Sequence, residues 1–187
     1  MKEYYQIDVA GVKRDLPLCE LTDELYIGAF VIFGDVELTV ASAKALLAKA
    51  PAFDIMVTAE SKGIPLVHEM ARQSGQNSYI LARKAPKLYM KNVIKTEVKS
   101  ITTERIQTLY IDQIDVDRMK GKRVLIVDDV ISTGESLHAL EVLVREAGGI
   151  IAGKMAILAE GDARNRDDIQ FIQYLPLFDK NGDPIAE

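Results

Sequence analysis

The sequence predicts a single α/β domain, with a mostly parallel, twisted sheet flanked by helices. Three observations carry that expectation. Strand-sized apolar runs alternate with amphipathic helical stretches, the order that builds parallel βαβ units. The runs are continuous in apolar residues, as strands covered on both faces should be. The chain has 187 residues, 48% of them hydrophobic and 27% charged, which suits one sizeable core.

The elements follow in order. Residues 39–50 (TVASAKALLAKA) read as a helix with an Ala/Leu face, Lys44 and Lys49 outside and Pro51 beyond its end. Asp54 to Thr58 reads as a short buried strand. Ile64 to Ser74 reads as a helix closed by Gly75. Ser78 to Ala82 and Lys122 to Val127 are the next strands. Gly134 to Ala147 is helical, with Gly148-Gly149 as its stop, and Ile150 to Leu158 is a fourth strand.

Between Arg83 and Gly121 the pattern changes. Pro86, Lys87, Tyr89, Lys91, Lys95 and Lys99 make the first half basic. Residues 97–101 and 105–111 then alternate like an antiparallel ribbon. The ribbon reads either as a lid over a site or as a solvated surface hairpin.

Composition excludes several function classes. The formal net charge is −5 and no consecutive basic block occurs, which argues against nucleic acid as the main partner. The apolar runs fall far short of the roughly 20 residues of a membrane span. The first residues, Met1 to Tyr5, carry no apolar core of a signal peptide. The single cysteine, Cys19, forms no intrachain disulfide and fits a reducing, cytoplasmic setting. Between Leu18 and Leu21 it is expected as a small buried hydrophobe.

The segment that carries chemistry is Val124-Leu-Ile-Val-Asp-Asp-Val-Ile-Ser-Thr-Gly-Glu-Ser136. An apolar strand runs into Asp128 and Asp129, followed by a Ser/Thr/Gly turn and a helix. In an open parallel sheet, ligands sit beyond the carboxyl ends of the strands. Ser132, Thr133, Gly134 and Ser136 surround a helix N-terminus, an anion cradle favoured by the helix dipole. Asp128 and Asp129 would repel a phosphate, but suit ribose hydroxyls or a divalent cation. A ligand with a phosphate at one end and a diol at the other satisfies both halves. A capped strand end alone explains one acid or one Ser, not the whole run. A P-loop is excluded, because it requires Gly-Lys-Ser/Thr.

Residues 124–136 resemble the signature of the type I phosphoribosyltransferases, whose substrate is 5-phosphoribosyl-1-diphosphate (PRPP). The resemblance implies that family's fold over residues 1–187, with a small hood from about 1–38 and 159–187 and a flexible loop at about 83–111. It implies that Asp128 and Asp129 contact the ribose, and that Ser132, Thr133, Gly134, Glu135 and Ser136 hold the 5-phosphate. Thr58-Ala-Glu-Ser-Lys-Gly63 is similar to the family's pyrophosphate loop, which assigns Glu60, Ser61, Lys62 and Gly63 to the diphosphate. The family often has a cis peptide there, expected around Glu60. Residues 82–87 look like the start of the flexible loop in the adenine and xanthine members. Arg83, Lys84 and Lys87 would then neutralise the leaving group, in a homodimer where this segment reaches the neighbouring subunit.

Ile27 to Phe33 resembles the hood over the base. Phe30 or Phe33 would stack on a purine, with Val130 and Ile131 beside it; core packing is the alternative for the rings. Ile32 and Gly161 align where xanthine enzymes place a polar Asn and a Lys. Each loss leaves a polar edge unpaired at about 1–3 kcal/mol, so adenine is favoured, with hypoxanthine or guanine behind it. Val12 to Leu16 only weakly echoes the arginine segment of adenine enzymes. The implied reaction joins PRPP to a purine in salvage and releases pyrophosphate. Mg2+ is bound mainly through PRPP with Asp128 and Asp129 nearby, and Glu104 on the hairpin protonates the base. The alternatives are a PRPP-binding regulator without turnover, and a xanthine, hypoxanthine-guanine or pyrimidine enzyme.

Overall fold

The structure is a computed structural model that describes residues 2–99 and 106–185. Its centre is a five-stranded sheet, parallel throughout. In spatial order the strands are β10 (Gln170–Leu175), β9 (Ile150–Glu160), β8 (Arg123–Ile131), β4 (Ile55–Ala59) and β5 (Ile80–Ala82).

Side-chain alternation divides these strands between two cores. Ile55, Val57, Val124 and Ile126 join Leu137, Leu140 and Val144 of α4 (Glu135–Glu146). Met56, Leu125 and Val127 join Leu66 and Met70 of α2 (Gly63–Ser74) and Leu38 and Leu46 of α1 (Val36–Leu47). Burial on both faces is why these strands lack the polar alternation of a half-exposed sheet. Val124 to Val127 are wholly buried, and each contributes roughly 1.5–3 kcal/mol. Together they offset the several kcal/mol needed to desolvate an acid at the end of the same strand.

The remaining elements are mostly ones the sequence reading passed over. A four-stranded antiparallel sheet orders as β1 (Tyr4–Val9), β2 (Val12–Thr22), β3 (Leu25–Gly28) and β11 (Leu177–Phe178). The β1–β2 connection, Ala10-Gly11, has positive φ at both residues, the conformation that suits a two-residue hairpin. Of the described residues from 159 to 185, only β11 is a strand of this sheet, while β10 is an edge strand of the parallel one. A short helix, α3 (Gln113–Met119), is capped by Asp112, whose side chain accepts from Asp115 N–H.

Several boundaries move. Helix α1 begins at Val36 rather than Thr39, because the Asp35 carboxylate accepts the Leu38 N–H and caps it. The same carboxylate holds Arg14 at 2.7 Å, so the arginine of the weak amino-terminal echo braces a helix cap. Strand β5 is confined to Ile80–Ala82. Cys19 is exposed, contrary to the buried placement expected for it, because it lies on the outer side of β2 while Leu16 packs inward.

The ribbon is present as β6 (Ile94–Lys99) and β7 (Ile106–Ile111), antiparallel, with Ile94 opposite Ile111. Its root is sewn to the sheet edge by reciprocal 2.8 Å backbone bonds between Arg83 and Tyr110. Thr96 Oγ1 donates to Glu146 of α4 at 2.5 Å. The turn joining β6 to β7, with Glu104, lies outside the described residues.

Candidate functional site

Strand β8 does not stop at Val127 but carries the acids on to Ile131. Continued pairing with β9, Asp128 opposite Ala156 and Ile131 opposite Ala159, holds both acids on rigid backbone. Asp129 is 3% exposed. Its N–H donates to Asp128 Oδ1 at 2.9 Å. Burial first, and the neighbouring Asp129 charge second, push Asp128 up to about 7.

Two clefts meet at this pair. One, of about 50 Å³, is lined by Asp128 and residues 130–137. Here Gly134 takes φ +80° and caps α4 with its backbone and no side-chain hydrogen bond, and the first N–H groups of a helix have no partner within it. Ser132, Thr133 and Ser136 are exposed around it.

The other cleft, of about 200 Å³, is lined by residues 59–62, Lys84, residues 128–130 and Ser136. The Glu60–Ser61 peptide is cis, at the position expected for it. Gly63 opens α2, and a Cβ there would collide with Thr58 Oγ1 and stand 3.5 Å from Asp128 Oδ1. Lys62 reaches across with Nζ 3.0 Å from Asp129 Oδ2. That is an ion-pair distance without hydrogen-bond alignment, so the buried Oδ2 accepts no hydrogen bond.

The basic residues after β5 gather on Glu60. Arg83 Nη1 donates to Glu60 Oε1 at 2.7 Å, the Lys84 N–H donates to Oε2 at 2.9 Å, and Lys87 Nζ is 3.7 Å from Oε1. Arg83 Nη2 also donates to the Tyr89 hydroxyl at 2.5 Å. The Lys84 N–H bond and then Arg83 hold the Glu60 carboxyl below its ordinary range. Glu60 therefore uses its carboxylate on its own chain, and it is the loop backbone with Ser61 and Lys62 that lines the cleft.

The hood aromatics are not brought to the clefts. Phe30 is 5% exposed and packs in the core beside Ile32, while Phe33 is 49% exposed. Neither lines either cleft; Val130 lines both, and Ile131 the smaller one. Ile32 is wholly buried, so its apolar identity serves packing.

Sequence reasoning missed two charged groups. Glu160 ends β9 and is pushed up by burial. Arg166 stands beside Gly134, where a Cβ would collide with its Nη1. No spacing rule links residues so far apart in the chain.

This strand–acid–turn arrangement can be set beside known proteins. The phosphoribosyl transferase domain family matches residues 41–181, more than half of the chain. The chain belongs to that family. The adenine phosphoribosyltransferase of Thermotoga petrophila is 37% identical over 108 residues, 58% of this chain and 59% of its own. That of Oenococcus oeni is 30% identical over 124 residues, 66% of this chain and 67% of its own. The hypoxanthine/guanine phosphoribosyltransferase of Methanotorris igneus is 33% identical over 111 residues, 59% of this chain and 56% of its own. The chain thus spans about three fifths of the length of the Thermotoga relative.

Among solved structures, the adenine phosphoribosyltransferase of Rhodothermus marinus has a TM-score of 0.63 at 21% identity, covering 92% of this chain and 94% of its own. That of Saccharomyces cerevisiae, complexed with an imino-altritol bisphosphate and adenine, has a TM-score of 0.62 at 20% identity, covering 91% and 93%. At these identities the likeness shows the fold: a phosphoribosyltransferase sheet with flanking helices.

Proposed function

We propose that this chain is a purine phosphoribosyltransferase that transfers the 5-phosphoribosyl group of PRPP to adenine and releases pyrophosphate, in purine salvage. The observation that carries the reading is the meeting of two clefts at Asp128. One is built like a phosphate cradle and the other holds lysines, with an acid pair between them. PRPP has that order of groups: 5-phosphate, ribose diol, diphosphate. The first matched relatives are adenine enzymes, which supports adenine as the acceptor.

In this reading the α4 turn, Ser132 to Ser136, binds the 5-phosphate through backbone N–H groups and hydroxyls. Asp128 and Asp129 accept from the ribose hydroxyls. Ser61, Lys62 and Lys84 bind the diphosphate, and Arg83 and Lys87 join them once released from Glu60. Val130 and Ile131 border the space left for the base, and Glu104 donates a proton to it. Little covalent chemistry is asked of the protein; its work is positioning and charge stabilisation.

The carboxylates fit magnesium. Asp129 Oδ2 is buried and accepts no hydrogen bond, and a hard oxygen of this kind suits the ion. No group of three or more His, Cys, Asp or Glu stands together among the described residues. When bound, Mg2+ neutralises charge developing on the leaving diphosphate. The reading includes a cytoplasmic homodimer.

A panel of bases tests it. Purified protein with PRPP and Mg2+ is supplied with adenine, hypoxanthine, guanine, xanthine, uracil or orotate, and nucleotide and pyrophosphate are measured. Adenine is expected to give the highest kcat/KM. PRPP binding with no turnover on any base would replace the enzyme with a sensor.

A further inference from the structure

Arg166 follows the short 3-10 turn Gly161–Asn165 that leaves β9. Its guanidinium occupies the space in which any side chain at Gly134 would begin. The positive φ of Gly134 is therefore only one of two reasons for a glycine there.

The guanidinium is held in a two-point fork. Nε donates to Asp168 Oδ1 at 2.9 Å and Nη2 donates to Oδ2 at 2.8 Å. Asp168 also pairs with Lys154 on β9, and Lys154 Nζ lies 3.0 Å from Glu141 Oε1 on α4. Arg145 completes the series, 3.1 Å from Glu141 Oε2. Arg166 stands at the turn end of this series, so a cation faces the turn. A fork with a carboxylate costs less conformational freedom to hold in place than a free guanidinium.

We propose that Arg166 is a positioning residue for the phosphate end of the ligand. Braced by Asp168, it fixes the Gly134 turn in its anion-accepting shape and places a permanent positive charge behind that backbone. The ligand class is a sugar phosphate monoester. The inference rests on the PRPP reading of the α4 turn.

Calorimetric titration tests it, with ribose 5-phosphate and separately with magnesium pyrophosphate, on wild type, Arg166→Gln and Arg166→Lys. Loss of the charge behind the turn, and of the brace it gives Gly134, is expected to weaken ribose 5-phosphate binding by Arg166→Gln about tenfold. Pyrophosphate binding should stay within about twofold, and Arg166→Lys should recover part of the loss, because it keeps the charge without the fork. In turnover, KM for PRPP should rise while kcat holds. Equal weakening of both ligands, or unchanged ribose 5-phosphate binding, would overturn the proposal. Failure of wild type to bind either ligand would instead sink the PRPP reading beneath it. If Arg166→Gln melts below the assay temperature, the same comparison on Arg166→Lys decides the matter.

Discussion

Lys62 Nζ stands 3.0 Å from Asp129 Oδ2, tying the loop after β4 to the acid pair on β8. The lysine side chain is 46% exposed and the aspartate 5%, so on neutralising the acid the lysine returns to water and an amide is cheaper to bury than a carboxylate. Asp129→Asn is therefore expected to leave the melting temperature within a few degrees. It should raise KM for PRPP about tenfold or more through loss of a charged acceptor. Steady-state kinetics with a thermal melt check both parts; an unchanged KM would remove the carboxylate from its assigned role.

Glu60 competes with any diphosphate for the same donors, since Arg83, Lys87 and the Lys84 N–H all face its carboxylate. Glu60→Gln removes the anion and keeps the shape. Magnesium pyrophosphate should then bind about threefold to tenfold more tightly, as one competing charge disappears. A calorimetric titration reads this directly, and weaker binding would show that Glu60 instead holds the loop in its binding form.

Asp128 links the site to pH. Its carboxyl is raised to about 7 in the folded chain and is about 4 when unfolded. The folded chain thus binds more protons in that window, and the contribution is full below pH 4 and lost as pH rises through 7. Asp128→Asn should abolish this term, so its melting temperature relative to wild type should climb from pH 4 to pH 8. A cation and a diol favour the charged form, so binding below pH 7 should release a proton. Calorimetry in two buffers of different ionisation enthalpy counts it; no difference between the buffers would contradict the assignment.

Gly134→Ala meets two obstacles, φ +80° and the guanidinium of Arg166. The backbone strain alone costs about 1–2 kcal/mol. The variant should melt lower and bind ribose 5-phosphate less well, both measurable by calorimetry. Wild-type affinity in a folded variant would mean that the turn is not the phosphate cradle.

The parallel strands were legible because two-sided burial leaves a continuous apolar run, as in Val124 to Val127. The acid pair was legible because charge after such a run has no packing explanation. The amino-terminal sheet was not, since Ile7, Val9 and Leu16 are buried among exposed neighbours in weak alternation that a composition reading passes over. Cys19 and Leu16 lie close in sequence, yet strand direction sends them to different surroundings. The hood resemblance leaves stacking or core packing open for Phe30 and Phe33, and their local sequence carries no mark distinguishing a stacking ring from a core ring. The approach of Arg166 to Gly134 depends on the path of the chain after β9, which no local pattern encodes.

Helix α4 begins at the Gly134 turn and ends at Glu146, the residue that receives the hydroxyl of Thr96. The turn and the ribbon root are therefore mounted on opposite ends of one stiff rod, about 18 Å long at 1.5 Å per residue. The rod is a ruler. Adding a single turn to it would drive those mounts apart by about 5 Å, so the span between them is written into the count of residues from Glu135 to Glu146.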